Sequence, residues 1–322
     1  MPQITVLYWN IEVFGAAKYG PEIIAFIAET IESNQADVVC MNELRGGFAT
    51  VVGFYLQNQL RNTGRAANWQ SQPSPVYSTN NEEYLFLWRT GAVTATGFQG
   101  TYLDAQGNAI GFPNGPQTNR PPYLGYFQTV AMPQRNILIA GFHAPRPAFW
   151  PDVRNGNRRL ASVTEFANQG HICLIMGDTN IGFNNDVAVN NSNGQQAWAS
   201  VGFNLAGGGG RFTQLLPNEY TSLIDRNQAW NTMTVGNCYS ETYDQMFIRH
   251  NPATGNTAAA NATSVELISE CMTNNYLELY LDAIETAWTG ISPGGYATVA
   301  DAFVAYRRYV SDHIPVIVDI TW

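Results

Sequence analysis

Seven short apolar segments, spread along the whole chain, constrain the fold more than any other feature of the sequence. Each has three to seven residues, is rich in Val, Ile, Leu or aromatic residues, and is bounded by Gly, Pro, Asn or Asp. Segments of this length and composition predict buried β-strands. They are Ile4–Trp9, Asp37–Met41, Tyr84–Trp88, Ile137–Phe142, Ile172–Met176, Met246–Ile248 and Ile314–Ile320.

Helical periodicity separates several of these strands. Isoleucines at helical spacing follow Pro21, and apolar residues recur at the same spacing over Phe48–Leu60 and Arg159–Phe166. Each pattern predicts an amphipathic helix. Strands that alternate with helices in some places and follow one another in others predict two sheets packed face to face and covered by helices. The 322 residues contain no internal repeat and no Pro/Ser-rich linker, so we expect one domain.

Composition excludes several classes of protein. Only 13% of the residues are charged and 12% are aromatic, which argues against a coiled coil and against disorder. No stretch approaches the roughly 18 consecutive apolar residues that a membrane span needs. The net charge is −9, and Lys18 is the only lysine among 16 basic residues, which excludes a broad basic surface for nucleic acid. Contact with a polyanion would have to be local, through a few arginines or a metal ion.

The four cysteines are too few for a disulfide scaffold. Cys40 and Cys173 lie in predicted strands, where we expect buried free thiols, whereas pairing of Cys238 with Cys271 stays open. The first predicted strand begins at Ile4, which leaves no room for a signal peptide in this chain. Localisation therefore stays open between the cytoplasm and secretion with the signal removed.

Acidic, amide and imidazole side chains stand where the predicted strands end, at six strand edges. Two of the four histidines are among them. Asp and Asn are common turn formers, which explains any one position, but the pattern at six edges together indicates a functional site. The residues are Asn10, Glu43, His143, Asp178 with Asn180, Asp244, and Asp312 with His313.

These residue types predict a hard divalent cation. Carboxylate and amide oxygens without cysteine suit Mg²⁺ or Mn²⁺ better than zinc, and a structural Ca²⁺ is also compatible with them. Mg²⁺ held by one or two carboxylates commonly works together with a substrate phosphate. His143 and His313 beside the cation could act as general base and general acid in displacement at phosphorus.

Five short motifs follow one another along the chain. They are Trp9-Asn10-Ile11, Asp37–Leu44, Gly177-Asp178-Thr179-Asn180, Tyr243-Asp244-Gln245 and Ser311–Val316. In order and spacing they resemble the motifs of the endonuclease/exonuclease/phosphatase superfamily. Within it, Glu43-Leu44-Arg45, Glu82–Arg89, Asn119–Pro122 and His143-Ala144-Pro145 are most similar to the deoxyribonuclease I group. The resemblance implies an α/β fold, a four-layer α/β sandwich with two central β-sheets flanked by helices, as a single domain over residues 1–322.

Carried over residue by residue, the resemblance also implies roles. Glu43 would bind Mg²⁺ with help from Asn10, and Asp178, Asn180 and Asp312 would complete the metal and phosphate pocket. His143, oriented by Glu82, and His313, oriented by Asp244, would be the acid–base pair. Arg120 would contact phosphate, and Arg45 would reach the minor groove of DNA.

Three positions qualify these assignments. Side chains alternate along a strand, so only one of Glu82 and Glu83 can face the site, and the resemblance, through the family's spacing before Tyr84, implies that it is Glu82. Asn80 stands where the resembled nucleases place a tyrosine that stacks in the groove, which weakens the case for tight minor-groove binding. His171 and His250 are expected to be bystanders.

The resemblance favours a metal-dependent endonuclease that cuts DNA with weak sequence preference, acting as a monomer. A phosphatase or phospholipid phosphodiesterase on the same fold is the alternative, because these enzymes share every core motif. A third hypothesis is a binding protein on an inactivated scaffold, but no expected metal ligand or histidine is missing from the motifs.

Residues 251–300 are expected to form a helical insertion. Apolar residues at helical spacing over Ser264–Trp288 predict one helix or two, with Ser264 as a cap, Gly290 as a stop and Asn274-Asn275 as a break. The segment carries five acids and no basic residue. Either the acids face water, or they lie near the substrate groove and repel duplex DNA. The five acids are Glu266, Glu270, Glu278, Asp282 and Glu285.

Overall fold

A computed structural model gives the architecture, in which strands alternate with helices in some parts of the chain and follow one another in others. It describes residues 1–62, 65, 68–77, 81–102, 120–144, 160, 163–167, 170–182, 212–216, 219–224, 232–249, 258–273 and 276–322. The strands are β1 (Gln3–Phe14), β2 (Val38–Arg45), β3 (Trp69–Pro73), β4 (Glu82–Arg89), β5 (Val93–Gln99), β6 (Tyr123–Thr129), β7 (Asn136–His143), β8 (Ile172–Asp178), β9 (Thr213–Gln214), β10 (Ser222–Leu223), β11 (Tyr239–Glu241), β12 (Asp244–Arg249), β13 (Ala259–Ser264) and β14 (Val316–Thr321). The helices are α1 (Pro21–Ser33), α2 (Phe48–Asn62), α3 (Leu267–Glu270), α4 (Tyr276–Thr289) and α5 (Val299–Tyr309).

Two six-stranded mixed sheets form the centre of the molecule. The first sheet has the order β13-β14-β1-β2-β4-β3, and the second has the order β5-β6-β7-β8-β12-β9. The pairs β1–β2 and β7–β8 are parallel, and the remaining neighbours in the two sheets are antiparallel. β10 and β11 form a separate two-stranded ribbon.

Side-chain alternation explains how the layers pack. In β1, Val6 and Tyr8 point into the apolar core between the sheets, whereas Leu7 and Trp9 point into a second core beneath the helices. The second sheet repeats the pattern, since Leu174 of β8 faces the first sheet and its neighbours face outward. Both faces of each sheet are therefore covered, which is why the strands read as nearly continuous apolar runs.

Helices α1, α2, α4 and α5 lie on the outer face of the first sheet, where their apolar residues share one core with that face. α1 begins at Pro21, whose fixed φ suits the first helical position, and buries the isoleucine face that the sequence predicts. α5 begins with a reciprocal cap between Thr298 and Asp301. On the outer face of the second sheet, the described residues include a 3₁₀ turn over Thr164–Ala167.

The predicted sandwich with two central sheets and flanking helices is confirmed. All seven predicted strands lie wholly or mostly within observed strands, and α1 and α2 match two predicted helices. In Arg159–Phe166, the third predicted helix, residues 159, 161 and 162 lie outside the described residues, and the described end of the segment forms the 3₁₀ turn over Thr164–Ala167. All four cysteines are buried free thiols, so Cys238 and Cys271 do not pair. No described helix is both long and apolar enough to cross a membrane.

The segment 251–300 differs from the prediction at its start. Ser264 is the last residue of β13, an edge strand paired with β14, and its hydroxyl donates to Glu219 Oε2 at 2.9 Å, so it does not cap a helix. Two helices follow, α3 and α4, on either side of the undescribed residues 274 and 275. α4 ends at Thr289 before Gly290, whose φ of +74° is the left-handed conformation expected of a stop. That this segment is an insertion stays a prediction.

Candidate active site

A cleft of about 670 Å³ opens at one edge of the two sheets. The parallel strands β1, β2, β7 and β8 end there, while β4, β12 and β14 begin there, so residues distant in sequence converge. Every residue of the predicted site lines the cleft except Asn10 and Asp244, which lie directly behind it in contact with lining residues. The lining of the cleft includes Glu12, Val13, Glu43, Arg45, Glu82, Arg120, His143, Asp178, Asn180, Glu241, Arg307, Asp312 and His313.

The register of the second sheet aligns three of the site residues. β7 pairs with β8 so that His143 lies opposite Asp178, and β12 pairs with β8 so that Asp244 also lies opposite Asp178. Gly177 precedes Asp178, and a Cβ there would overlap the carbonyl oxygen of Phe142, which explains the glycine. One rung across three strands therefore presents an imidazole and two carboxylates.

A β-bulge in β2 brings Glu43 to the cleft. The pairing of β2 with β4 shifts register between Met41 and Leu44, although both side chains face the helix-covered core. Two residues three positions apart can share a face only if the strand holds one extra residue. Glu43 is that residue and has a φ of +60°, which is uncommon for a residue other than glycine. Strict alternation from Met41 would have placed Glu43 under the helices.

Glu43 and Asp178 form a carboxylate centre. Asn10 Nδ2 donates to Glu43 Oε1 at 3.2 Å and to Asp178 Oδ2 at 3.1 Å. Burial raises the pKa of Asp178 to about 7, with the nearby charges of Asp244 and Glu43 acting in the same direction. A divalent cation would remove this penalty, so the donor set fits Mg²⁺ or Mn²⁺. Ligand atoms of Glu43, His143 and Asp178 lie within 4.8 Å of one another.

Asp312, a predicted metal ligand, lies outside this group of three. Its Oδ2 is 3.3 Å from Arg307 Nη1, and its Oδ1 is 3.7 Å from His313 Nε2. Asn10 likewise presents its amide nitrogen to the carboxylates, while its Oδ1 accepts a hydrogen bond from the backbone N–H of Glu12 at 3.2 Å. The metal assignments of Asp312 and Asn10 stay predictions.

His143 is held in its neutral form. Arg120 Nη1 lies 2.6 Å from His143 Nδ1, and Arg120 Nη2 donates to Glu82 Oε1 at 2.6 Å. Burial and the charge of Arg120 hold the pKa of His143 well below its usual value. Because a guanidinium can only donate, Nδ1 is the acceptor and the ring proton is on Nε2. That nitrogen faces Glu43 Oε1 at 3.5 Å and Asp178 Oδ2 at 3.6 Å.

His313 is held in its charged form. Burial alone would lower its pKa, but Asp244, whose Oδ2 is 2.6 Å from His313 Nδ1, and the nearby Asp178 and Glu43 raise the pKa to about 9. His313 Nε2 lies 3.8 Å from Asp178 Oδ2. The ring is therefore an imidazolium at neutral pH and points its second N–H into the cleft.

Backbone contacts fix the position of His313 before β14. Its N–H donates to Ser311 Oγ at 3.0 Å, and Ser311 Oγ donates to the Asn10 carbonyl at 2.7 Å. Trp9 Nε1 and the Tyr306 hydroxyl donate to the His313 carbonyl at 3.3 and 2.6 Å. These bonds join the end of β1 to the segment that carries His313.

Asn180 and the two arginines complete the cleft. Asn180 has a φ of +51°, its N–H donates to Asp178 Oδ1 at 2.8 Å, and its Nδ2 donates to the Ala144 carbonyl at 2.9 Å. Arg45 Nη2 donates to Glu82 Oε1 at 3.2 Å, and its side chain is 31% exposed. Arg45 is thus placed to meet an incoming anion from solvent, whereas Arg120 acts from within.

The two adjacent glutamates of β4 take opposite faces. Glu82 enters the cleft, as the spacing to Tyr84 predicts, whereas Glu83 Oε2 accepts the N–H groups of Gly47 and Ala49 at the start of α2, at 2.8 and 3.4 Å. His171 lies at the opposite end of β8, beside Tyr126. Asn80 and His250 lie outside the described residues.

Glu12 and Arg307 also line the cleft, although no motif in the sequence indicates them. Arg307 Nη1 lies 3.9 Å from Glu12 Oε2 and 3.3 Å from Asp312 Oδ2. Arg307 belongs to α5, whose amphipathic pattern marks it as a helix residue and reveals nothing about the cleft. No local signal could have found either residue.

The acidic segment before α5 does not reach the cleft. None of the five acids is among the described lining residues. Glu266 accepts a hydrogen bond from the Tyr239 hydroxyl, Glu285 accepts one from the Tyr296 hydroxyl at 3.2 Å, and α4 packs on α1 in the outer layer. The structure thus supports the packing role and contradicts the hypothesis of an acidic groove wall.

Comparison with known proteins agrees with this architecture. No protein-family model and no curated protein matches the sequence. Among solved structures, an endonuclease/exonuclease/phosphatase family protein from Bacteroides thetaiotaomicron has a TM-score of 0.61 at 11% identity, over 99% of this chain and 97% of that one. D. rerio TDP2 complexed with single-strand DNA product has a TM-score of 0.59 at 13% identity, over 99% of both chains. The mannosyl-6-phosphatase Bt3783 of B. thetaiotaomicron has a TM-score of 0.58 at 11% identity, over 99% of this chain and 100% of that one. The chain therefore has the fold of the endonuclease/exonuclease/phosphatase superfamily, as the motifs predict.

Proposed function

We propose that the chain is a divalent-metal-dependent hydrolase of phosphate esters, and that its substrate is a phosphodiester of DNA. One observation carries the proposal: a neutral and a charged imidazole flank the same carboxylate. His143 Nε2 and His313 Nε2 lie 3.6 and 3.8 Å from Asp178 Oδ2. Hydrolysis at phosphorus needs a group that takes a proton from water and a group that gives one to the leaving oxygen.

The protonation states assign these tasks. Asp178 lies between the two imidazole Nε2 atoms, where its carboxylate can take the proton of the attacking water. His313, with a pKa of about 9, is charged at neutral pH and donates its Nε2 proton to the leaving oxygen. His143 carries its proton on Nε2 and donates a hydrogen bond to a phosphoryl oxygen. The proton that Asp178 gains is returned to His313 or to solvent, which completes the cycle.

Glu43 would hold the cation next to Asp178, with Asn10 orienting both carboxylates. When bound, Mg²⁺ neutralises charge on the phosphate and favours ionisation of nearby water. Arg120 and Arg45 add two local positive charges on the His143 side, and Asn180 adds an amide that can contact phosphate.

The charge of the cleft bears on the substrate. Its described lining contains six acids and three arginines, and Arg307 is already paired with Asp312. We therefore expect weak binding of DNA that falls as salt rises. Support for nucleic acid comes from Arg45 at the cleft mouth and from the likeness to TDP2 bound to a DNA product. The acidic lining, together with the likeness to a mannosyl-6-phosphatase, favours a phosphatase as the second candidate.

A nicking assay on supercoiled plasmid tests the proposal. Nicking should stop in EDTA and return with Mg²⁺ or Mn²⁺, and Glu43→Gln should abolish it without a change in folding, with Glu22→Gln on α1 as the control. A parallel panel of phosphomonoesters and phospholipids separates the two candidates. Turnover of the panel without nicking would replace the nuclease by the phosphatase or phospholipase. EDTA-resistant activity, or full activity of Glu43→Gln, would contradict the metal mechanism.

A further inference from the structure

Near its end β1 is irregular: its register with β2 shifts between Asn10 and Phe14, and the backbone makes a local turn at Glu12 and Val13. Glu12 and Val13 both have positive φ, +39° and +51°. Two successive left-handed residues without glycine are rare, and valine is poorly suited to this region because its Cβ is branched. Such conformations persist where the surrounding structure imposes them, and they cluster at functional sites.

The turn supplies two backbone donors to the carboxylate centre. The Glu12 N–H donates to Asn10 Oδ1 at 3.2 Å, and the Val13 N–H donates to Glu43 Oε2 at 3.1 Å. The first bond fixes the orientation of the Asn10 amide, so that its nitrogen faces Glu43 Oε1 and Asp178 Oδ2. The conformation of two strained residues therefore sets the orientation of Asn10 and of Glu43.

Lys18 holds this turn. Its Nζ donates to the Glu12 carbonyl at 2.6 Å, lies 3.3 Å from Glu12 Oε2, and donates to the Val310 carbonyl at 3.2 Å. An ammonium has three N–H donors, and here three oxygens meet them. Val310 follows α5 and leads to Ser311, Asp312 and His313, so the same ammonium ties the turn to the segment that carries His313.

The identity of the residue supports a specific role. The chain has one lysine and 15 arginines. A planar guanidinium cannot direct its donors to three oxygens arranged around a point, whereas an ammonium can. The Lys18 side chain is only 15% exposed, and this burial lowers the pKa of its ammonium.

We propose that Lys18 is a positioning residue: it holds the left-handed turn at Glu12 and Val13 and thereby orients Asn10 and Glu43 for the divalent cation. Only the activity readout of this inference rests on the proposed hydrolase function. The effect on metal binding is independent of the substrate.

Mn²⁺ binding to the metal-free protein, followed by electron paramagnetic resonance, is the main measurement. Lys18→Met should weaken Mn²⁺ binding tenfold or more and lower kcat by a similar or larger factor, with little change in KM. Lys18→Arg should restore little of either. The matched control is Arg65→Met, because Arg65 also binds backbone carbonyls and carboxylates, those of Gln35, Ala36, Glu32 and Asp37, at the other end of the first sheet. Arg65→Met should lower Tm and leave Mn²⁺ affinity unchanged.

A second variant distinguishes positioning from stability. Glycine adopts a left-handed conformation without strain. Val13→Gly in the Lys18→Met background should therefore recover part of the Mn²⁺ affinity, several-fold, even though it adds no contact. If Lys18→Met stays folded and binds Mn²⁺ like the wild type, or if Val13→Gly recovers nothing, Lys18 has only a structural role.

The single lysine offers a measurement on the wild-type protein, which keeps the inference testable if Lys18→Met does not fold. Lysine labelled with ¹⁵N at Nζ should give one side-chain signal, and that signal should shift when Mg²⁺ is added. An unchanged signal at saturating Mg²⁺ would overturn the inference. A protein that binds Mn²⁺ through a Lys18-dependent site but hydrolyses no phosphate ester would refute the proposed function and leave the positioning role intact.

Discussion

The two histidines of the cleft occupy similar settings and have opposite protonation states. Each imidazole from one side of the sandwich meets a carboxylate from the other: His143 of β7 lies near Glu82 of the first sheet, and His313, just before β14, meets Asp244 of the second. At His313 the carboxylate contacts the ring directly, at 2.6 Å. At His143 the guanidinium of Arg120 takes that place, and Glu82 Oε2 lies 3.5 Å away.

A third charge therefore decides the protonation state of each histidine–carboxylate pair. Both rings are buried, and burial lowers the pKa of both. Asp244 overcomes burial at His313, whereas two arginines, Arg45 and Arg120, already bind Glu82 at the other ring. One ring is thus kept as a proton donor with a positive charge and the other as a neutral donor, side by side in one cleft.

The largest effect is expected when the carboxylate beside each histidine, Asp244 or Glu82, is replaced by its amide. Asp244→Asn should lower activity by roughly 10³–10⁴-fold, because His313 loses the partner that fixes the orientation of its ring and keeps it charged. Glu82→Gln should lower activity by only roughly 10-fold, because His143 is neutral already. Steady-state kcat/KM of the two variants, measured at pH 7 with saturating Mg²⁺, gives the ratio.

Circular dichroism and Tm of both variants serve as the control for folding, since each substitution is nearly isosteric in a buried setting. Equal losses in the two variants would mean that the two imidazoles have the same protonation state and that Arg120 does not distinguish them. A larger loss for Glu82→Gln would reverse the assignment of His313 as the acid.

Most residues of the cleft could be predicted from the sequence, because short segments around them carry the signal. The strand-end residues were predictable because polar residues recur at the ends of six predicted strands, and Glu82 was predictable over Glu83 because its spacing before Tyr84 matches the resembled motif. The site residues were assigned through ordered motifs, which identify a residue and not the charges around it. Arg120 was expected on phosphate, and its contact with His143 Nδ1 could not be foreseen.

Other features escaped prediction because they depend on pairing or on distant contacts. Periodicity cannot show the extra residue that turns Glu43 into the cleft, since a bulge appears only in the register between β2 and β4. β13 is an edge strand of small and polar residues that is held by backbone pairing with β14. Its sequence has no apolar pattern from which a strand could be predicted. Likewise, nothing near Lys18 in the sequence indicates that Val310 lies beside it.

A smaller effect is expected on stability, because the two histidines should contribute to the unfolding free energy in different pH ranges. The pKa of His313 is raised in the folded protein, so between about pH 6.5 and pH 9 the folded state binds one more proton than the unfolded state. The stabilisation is complete below pH 6.5 and is lost as pH rises through about 9, a change of about 3 kcal/mol. The pKa of His143 is lowered in the folded protein, so its effect on stability has the opposite pH dependence. The stabilisation by neutral His143 is present above the ordinary pKa of histidine and is lost as pH falls below that value.

Denaturant unfolding of the EDTA-treated protein across pH, compared with His313→Gln and His143→Gln, measures both contributions. The difference in unfolding free energy between wild type and His313→Gln should shrink as pH rises from 6.5 to 9. The difference for His143→Gln should shrink as pH falls below 6.5. Parallel curves for the two variants would remove the distinction between the two sites.

The smallest effect concerns Glu83, the neighbour of Glu82 on the opposite face of β4. Glu83 accepts the N–H groups of Gly47 and Ala49, so its charge stabilises the start of α2 and does not reach the cleft. Glu83→Gln should lower the unfolding free energy by about 1 kcal/mol and change kcat/KM less than about twofold. The same substitution one residue earlier should change kcat/KM roughly tenfold, so the two variants form a matched pair on one strand. If Glu83→Gln lowered kcat/KM as much as Glu82→Gln, both losses would come from disturbance of β4, and the effect of Glu82 could no longer be attributed to its contact with Arg120 and His143.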